Sequence, residues 1–155
     1  MHESDPGILS RQLLSAPECL VSRAHDTLPM PLRPINLVLP VLRERRRAAI
    51  LDNLQAQGLT IGKIVEIDSA LVILDLVNRS DWMTVAPCLI ATPDGQDRLR
   101  LVPLRQPALI FKVVLLQPAA AVLPPGAAEF LDILRREAEE NVSGWSNNYS
   151  TLGGS

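Results

Sequence analysis

Lysine is nearly missing from this chain: Lys63 and Lys112 are the only two, and arginine supplies the rest of the 15 basic residues. These cations stand against 17 acidic residues, a formal net charge of −2. That balance excludes a nucleic-acid surface spread over the chain. Aromatic residues make up only 3%. Trp82, Trp145 and Tyr149 are not interleaved with basic residues, so no stacking platform for bases exists. The two cysteines, Cys19 and Cys88, lack C-x-x-C spacing. This excludes a disulfide framework and predicts two reduced, partly buried thiols. His2 and His25 have no partners at ligand spacing, so no metal is expected. Also missing is any uninterrupted apolar run of about 18 residues, so no membrane span is expected. The polar, acidic start Met1-His2-Glu3-Ser4-Asp5-Pro6-Gly7 lacks the basic region and apolar run of a signal peptide, which predicts a cytoplasmic location. Neither a Gly-x-Ser-x-Gly elbow nor a Ser–His–Asp set can be assembled, so the sequence predicts no enzyme and no cofactor.

What is present is an alternating chain of strands and helices. The 155 residues are 47% hydrophobic and 21% charged, enough for a globular domain with a real core. Residues 1–34 read as an N-terminal segment and crossover linker. Leu13-Leu14 and Cys19-Leu20-Val21 are candidate strand pieces, and Pro29, Pro31 and Pro34 hold the linker extended. Ile35 to Leu39 is a short apolar run bounded by prolines, as in a strand buried on both faces. Arg43 to Gln57 is helical, with Leu42, Ala49, Ile50 and Leu54 on one stripe and Gly58 as the stop. Ile61 to Ile67 is a β-branched strand. Asp68 or Ser69 caps a helix over Ala70 to Arg79 that is apolar enough to be largely buried. Strands follow at Trp82 to Ala86, Leu101 to Leu104 and Leu109 to Leu116, with a turn at Pro93-Asp94-Gly95. A last helix opens at Pro125, with Ala127, Phe130, Leu131, Leu134 and Ala138 on its apolar stripe. Residues 141–155, rich in Ser, Asn and Gly, read as a flexible tail. Strand–helix–strand spacing implies right-handed parallel crossovers. The expected fold class is therefore α/β, Rossmann-like, with a mostly parallel sheet: an α/β subdomain over 35–116, then a closing segment and helix over 117–140.

Ligands in open α/β sheets sit beyond the carboxyl ends of the strands. That rule selects Leu39 and Pro40 at the end of the first parallel strand, Asp68 and Ser69 at a strand-to-helix junction, and Thr84 and Val85 in the next strand. The amides of Ser69, Ala70 and Leu71 could receive a carboxylate; the plainer reading of the junction is helix capping, and of Thr84 and Val85 sheet packing. The run Arg43-Glu44-Arg45-Arg46-Arg47 is more simply a solvated helix start. Yet cations crowd the positive end of the helix dipole there, which leaves Arg43 and Arg46 as candidate anion contacts.

Taken in order, the segments resemble the effector-binding (substrate-binding) domain of LysR-type transcriptional regulators. The resemblance is carried by Leu9-Ser10-Arg11-Gln12-Leu13-Leu14, Glu18-Cys19-Leu20-Val21, Ala24-His25-Asp26-Thr27-Leu28-Pro29, the strand and helix from Ile35 to Gly58, Leu71 to Val77 with Trp82 to Pro87, and Pro125 to Arg136. It spans most of residues 8–140. Two places depart from the pattern: Asn78-Arg79-Ser80-Asp81 replaces a Gly-rich turn, and Pro124 stands where a capping Ser is common. The winged helix-turn-helix, linker helix and first half of the effector domain are not in this sequence, which therefore looks like a C-terminal fragment. The resemblance implies a periplasmic-binding-protein-type subdomain plus the closing strand and helix of a partner subdomain. It also implies a small-molecule effector, often a carboxylate, bound in a cleft bordered by the strand–helix junction. DNA binding would pass through a domain absent from this chain, and the uncovered sheet edge and helix face predict a homodimer or higher oligomer. The alternatives are a solute-binding module of periplasmic-binding-protein type and, third, a small α/β enzyme.

Overall fold

A computed structural model describes residues 6–24, 33–90, 99–105 and 108–149. The segments around His25 to Pro31 and Pro93-Asp94-Gly95 lie outside the described residues. The chain folds into two compact units, one formed by Pro17–Ile110 and the other by Met1–Ala16 with Phe111–Ser155.

The continuous unit is built on a mixed sheet. Its strands are the second half of β1 (Ile8–Arg23), β2 (Ile35–Leu39), β3 (Ile61–Glu66), β4 (Trp82–Pro87) and β5 (Leu99–Pro103), in the spatial order β3-β2-β4-β1-β5. β2 runs parallel to both β3 and β4, whereas β1 pairs antiparallel with β4 and β5. The α/β class is as the sequence implies. The expected mostly parallel sheet is corrected to a mixed one, because β1 joins the sheet antiparallel to β4 and β5. Leu13-Leu14 and Cys19-Leu20-Val21 belong to this one 16-residue strand. Pro17, which has no amide to donate, falls where the strand leaves one unit for the other.

Leu37, Val38 and Leu39 are all fully buried, as both faces of β2 are covered. On one face Leu20, Leu37, Leu39, Met83 and Val85 pack with Ile50 and Leu54 of α1 (Glu44–Ala56). Alternation along the strands turns Cys19, Val21, Val38 and Thr84, all buried, to the opposite face, where α2 (Ala70–Arg79) lies against β2 and β4.

Local chemistry sets the junctions. Gly58 closes α1 with φ of 80°. The Gly58 amide donates to Gln55 O (2.9 Å) and the Leu59 amide to Leu54 O (3.1 Å), the two bonds of a Schellman motif. Between the pairs Ile35–Ile61 and Leu37–Ile64 the register shifts by one residue. Asn36 Oδ1 fills the gap by accepting from the Lys63 amide at 3.0 Å. Where Asn78-Arg79-Ser80-Asp81 replaces a Gly-rich turn after α2, Ser80 makes the junction. Its hydroxyl donates to Leu76 O (2.6 Å) and accepts from the Trp82 amide (3.2 Å), joining helix end to strand start.

α2 is less buried than its composition implies. Ile73 and Val77 are its buried residues, one turn apart on a single stripe, while Leu71 is 81% and Val72 51% exposed. A helix lying on a sheet covers one stripe only, and the first turn here projects past it.

The second unit comprises the first half of β1, β6 (Ile110–Pro118) and α3 (Pro125–Tyr149). The Ala119 amide donates to Gly7 O at 2.8 Å. The end of β6 thus faces the start of β1, and the pair is antiparallel. Pro124 replaces a side-chain cap with its carbonyl, which accepts from the amides of Ala127 and Ala128, both at 3.0 Å. Of the predicted apolar stripe on α3, Leu131 and Ala138 are buried and Ala127 is half-buried, but Phe130 (61%) and Leu134 are exposed. A two-stranded ribbon about 10 Å wide covers only part of a helix face. α3 continues through Tyr149. Ser143, at its polar end, donates to the Glu139 and Glu140 carbonyls at 2.8 and 3.0 Å.

Candidate functional site

Because β2, β3 and β4 are parallel, their carboxyl ends meet at one end of the Pro17–Ile110 sheet. Leu39 pairs with Glu66, and the Ile67 amide donates to Leu39 O at 2.9 Å. Pro40 and the Asp68-Ser69 junction therefore leave the sheet side by side. Ser69 is the N-cap of α2: its hydroxyl accepts from the Val72 amide (3.5 Å) and its carbonyl from the Ile73 amide (3.0 Å). The next amides, of Ala70 and Leu71, have no acceptor among the described residues. Asp68 is exposed, and around this junction stand the exposed apolar side chains of Val41 and Leu71.

The other sequence-selected residues sit deeper. Leu39 and Val85 belong to the core under α1. Thr84 is buried on the opposite face, opposite Val21 in the β1–β4 ladder. Its hydroxyl has no hydrogen-bond partner among the described residues. Leu39, Thr84 and Val85 thus set the shape of the sheet end, while Pro40, Asp68 and Ser69 reach its surface.

The crowding of cations at the start of α1 has an internal answer. Arg43 is the N-cap in extended conformation without a side-chain cap, and its carbonyl accepts from the amides of Arg46 (2.9 Å) and Arg47 (3.1 Å). Arg47 pairs with Glu66 at 2.7 Å. Arg46 pairs with Glu18 of β1. Glu18 is a residue that sequence reasoning passed over as a site. Its signal was available: a carboxylate in the apolar run Ala16 to Val21 needs a cation once buried. Glu18 lies opposite Pro87, the last residue of β4, which puts the ion pair at the same sheet end.

Both thiols are closed off. Burial, with Cys88 adding to it, pushes Cys19 up to about 12; burial likewise pushes Cys88 up to about 11, against a backbone hydrogen bond that lowers it. A separate recess of about 480 Å³ lies in the other unit, between Gln12 and Ser15 of β1 and Glu139 and Ser143 of α3. No cluster of His, Cys, Asp or Glu that could hold a metal exists among the described residues. Nor is any described helix long and apolar enough to cross a membrane.

The site is thus a parallel sheet end with a helix N-terminus and an apolar rim. Residues 1–139 match the LysR substrate binding domain, and the chain belongs to that family, the effector-sensing domain of LysR-type transcription regulators. A 69-residue stretch, 44% of this chain, is 33% identical to the HTH-type transcriptional regulator TdcA of Escherichia coli (strain K12). That stretch is 22% of TdcA's length. The fold is similar to the regulatory domain of HypT from Salmonella typhimurium, with a TM-score of 0.65 at 10% identity, covering 88% of this chain and 68% of that one. It is also similar to the effector binding domain of QuiR in complex with shikimate, with a TM-score of 0.57 at 13% identity, covering 90% and 69%.

Proposed function

We propose that the sheet end of the Pro17–Ile110 unit is one wall of an effector site for a small carboxylate with an apolar body. The supporting observation is the α2 N-terminus. Two unbonded amides and the positive end of the helix dipole form an anion seat, with exposed Leu71 and Val41 beside it for the apolar part. Leu39, Pro40, Asp68, Ser69, Thr84 and Val85 shape this wall. The complex of QuiR with shikimate, a carboxylic acid, agrees in ligand size and charge. In this reading the domain performs no catalysis. It acts in the cytoplasm, as a homodimer or higher oligomer, and effector binding shifts a conformational population that a separate DNA-binding domain reads out.

Ser69→Asp tests the site. Aspartate caps a helix as well as serine does, so the melting temperature should stay unchanged, while its charge repels a carboxylate. Thermal-shift and NMR screening of small carboxylates, shikimate included, should find binders that the variant holds about tenfold more weakly, equivalent to ~1.4 kcal/mol. A variant that binds as well as the native chain would remove α2 from the site.

A further inference from the structure

Resting on that location for the site, we propose that Arg46 is its side-chain anion receptor and that Glu18 is the positioning residue that holds it there. The two members of the pair have very different surroundings. Glu18 is 2% exposed, on the strand face that α1 covers, whereas the Arg46 side chain is 44% exposed. A carboxylate buried to that degree cannot do without its cation. The guanidinium is therefore fixed at one end instead of sweeping through solvent.

A guanidinium carries five N–H donors in a planar fork. Only the Nη2 contact to Glu18 Oε1 is made among the described residues, and Arg46 has no further partner there. Its remaining donors are available to a second anion. Arg46 occupies the first turn of α1, which follows Leu39 and Pro40, and Glu18 faces Pro87. The fork thus stands at the same sheet end as Ser69 but on the face that α1 covers, with exposed Arg43 next to it. Glu18 both orients and partly neutralises Arg46: it fixes geometry, and it limits the pull on the ligand. The class of ligand is an oxyanion, carboxylate or phosphate, that can share Arg46 with Glu18.

The sign of the Glu18 effect separates this role from a purely structural ion pair. Glu18→Gln keeps a hydrogen-bond acceptor but removes the competing charge, so anions should bind more tightly, by about threefold. Adding Arg46→Met to Glu18→Gln removes the receptor without stranding a buried carboxylate, and binding should fall about tenfold below that of the single variant. The readout is the Arg46 Nε–Hε resonance of the ¹⁵N-labelled full chain. It would be titrated with shikimate and with inorganic phosphate at ionic strength matched by chloride, with shikimate methyl ester as the uncharged control. Movement of that resonance with either anion and not with the ester, together with tightening in Glu18→Gln, supports the proposal. No movement with either anion overturns it, as does equal binding by Glu18→Gln and the double variant. Should Ser69→Asp weaken binding while these variants do not, the site stands and the role of Arg46 falls. If Ser69→Asp also leaves binding unchanged, the site itself is misplaced.

Discussion

At the scale of single residues, the sheet buries chemistry that other proteins expose. Cys19 and Cys88 are the clearest case, with thiols pushed up to about 12 and about 11. A thiolate is the reactive form, so neither should react with a thiol reagent at pH 8 while the chain is folded, and both should react after unfolding in guanidinium. The linkage has a definite sign. In the unfolded chain the thiols ionise near about 8.5, whereas in the folded chain they hold their protons until about 11 to 12. The native state then binds more protons than the unfolded one, and stability falls as pH rises through that interval. Urea midpoints measured from pH 8 to pH 11 should decline, and the decline should be shallower in a Cys19→Ala, Cys88→Ala double variant. Equal slopes would mean that the thiols are not the groups responsible.

At the scale of elements, what could be read from the sequence was what neighbouring residues decide. Gly58 announced the end of α1 because only a residue at home at positive φ closes that motif. Ser69 announced the start of α2 because its oxygen answers an orphan amide. What stayed hidden depends on residues far apart in the chain. β1 looked like fragments because its partners, β4 and β5, lie more than sixty residues on. The buried partner of Arg46 lies 28 residues earlier, on another element. The exposed face of α3 carries the same apolar spacing as its buried one, and periodicity cannot say which stripe finds a partner. The irregular step between β2 and β3 was equally illegible, since Gly62 reads as an ordinary strand glycine. A Cβ there would meet Asn36 Oδ1 at 2.9 Å, Pro34 Cβ at 3.2 Å and Ile35 O at 3.3 Å. Because Asn36 is already engaged by the Lys63 amide, Gly62→Ala should cost about 1–3 kcal/mol, the usual range for overpacking. Urea denaturation would measure it; an unchanged midpoint would show that the step relaxes freely.

At the scale of the whole molecule, the smaller unit shows its apolar side to solvent. Val114 and Leu116 of β6 and Phe130, Ile133 and Leu134 of α3 are all exposed, and β6 pairs only with β1 among the described strands. Open strand edges and contiguous apolar surface favour association. Light scattering across a concentration series should therefore find a dimer or larger assembly, and Leu116→Glu should shift it toward monomer. A monomer at every concentration would show that this surface is tolerated as it stands.

The Pro17–Ile110 unit interrupts the other one in sequence, yet its two ends are neighbours. The Glu18 amide donates to Leu109 O at 2.9 Å, and the Leu104 amide to Glu18 O at 2.9 Å. The two ends of this 94-residue insert therefore meet as closely as the ends of a hairpin loop. The entropy of closing a long flexible loop rises with its length, but a folded insert with adjoining ends has already brought Ala16 and Phe111 together. For a chain whose insert is already folded, the antiparallel meeting of β1 and β6 is, in kinetic terms, a local event.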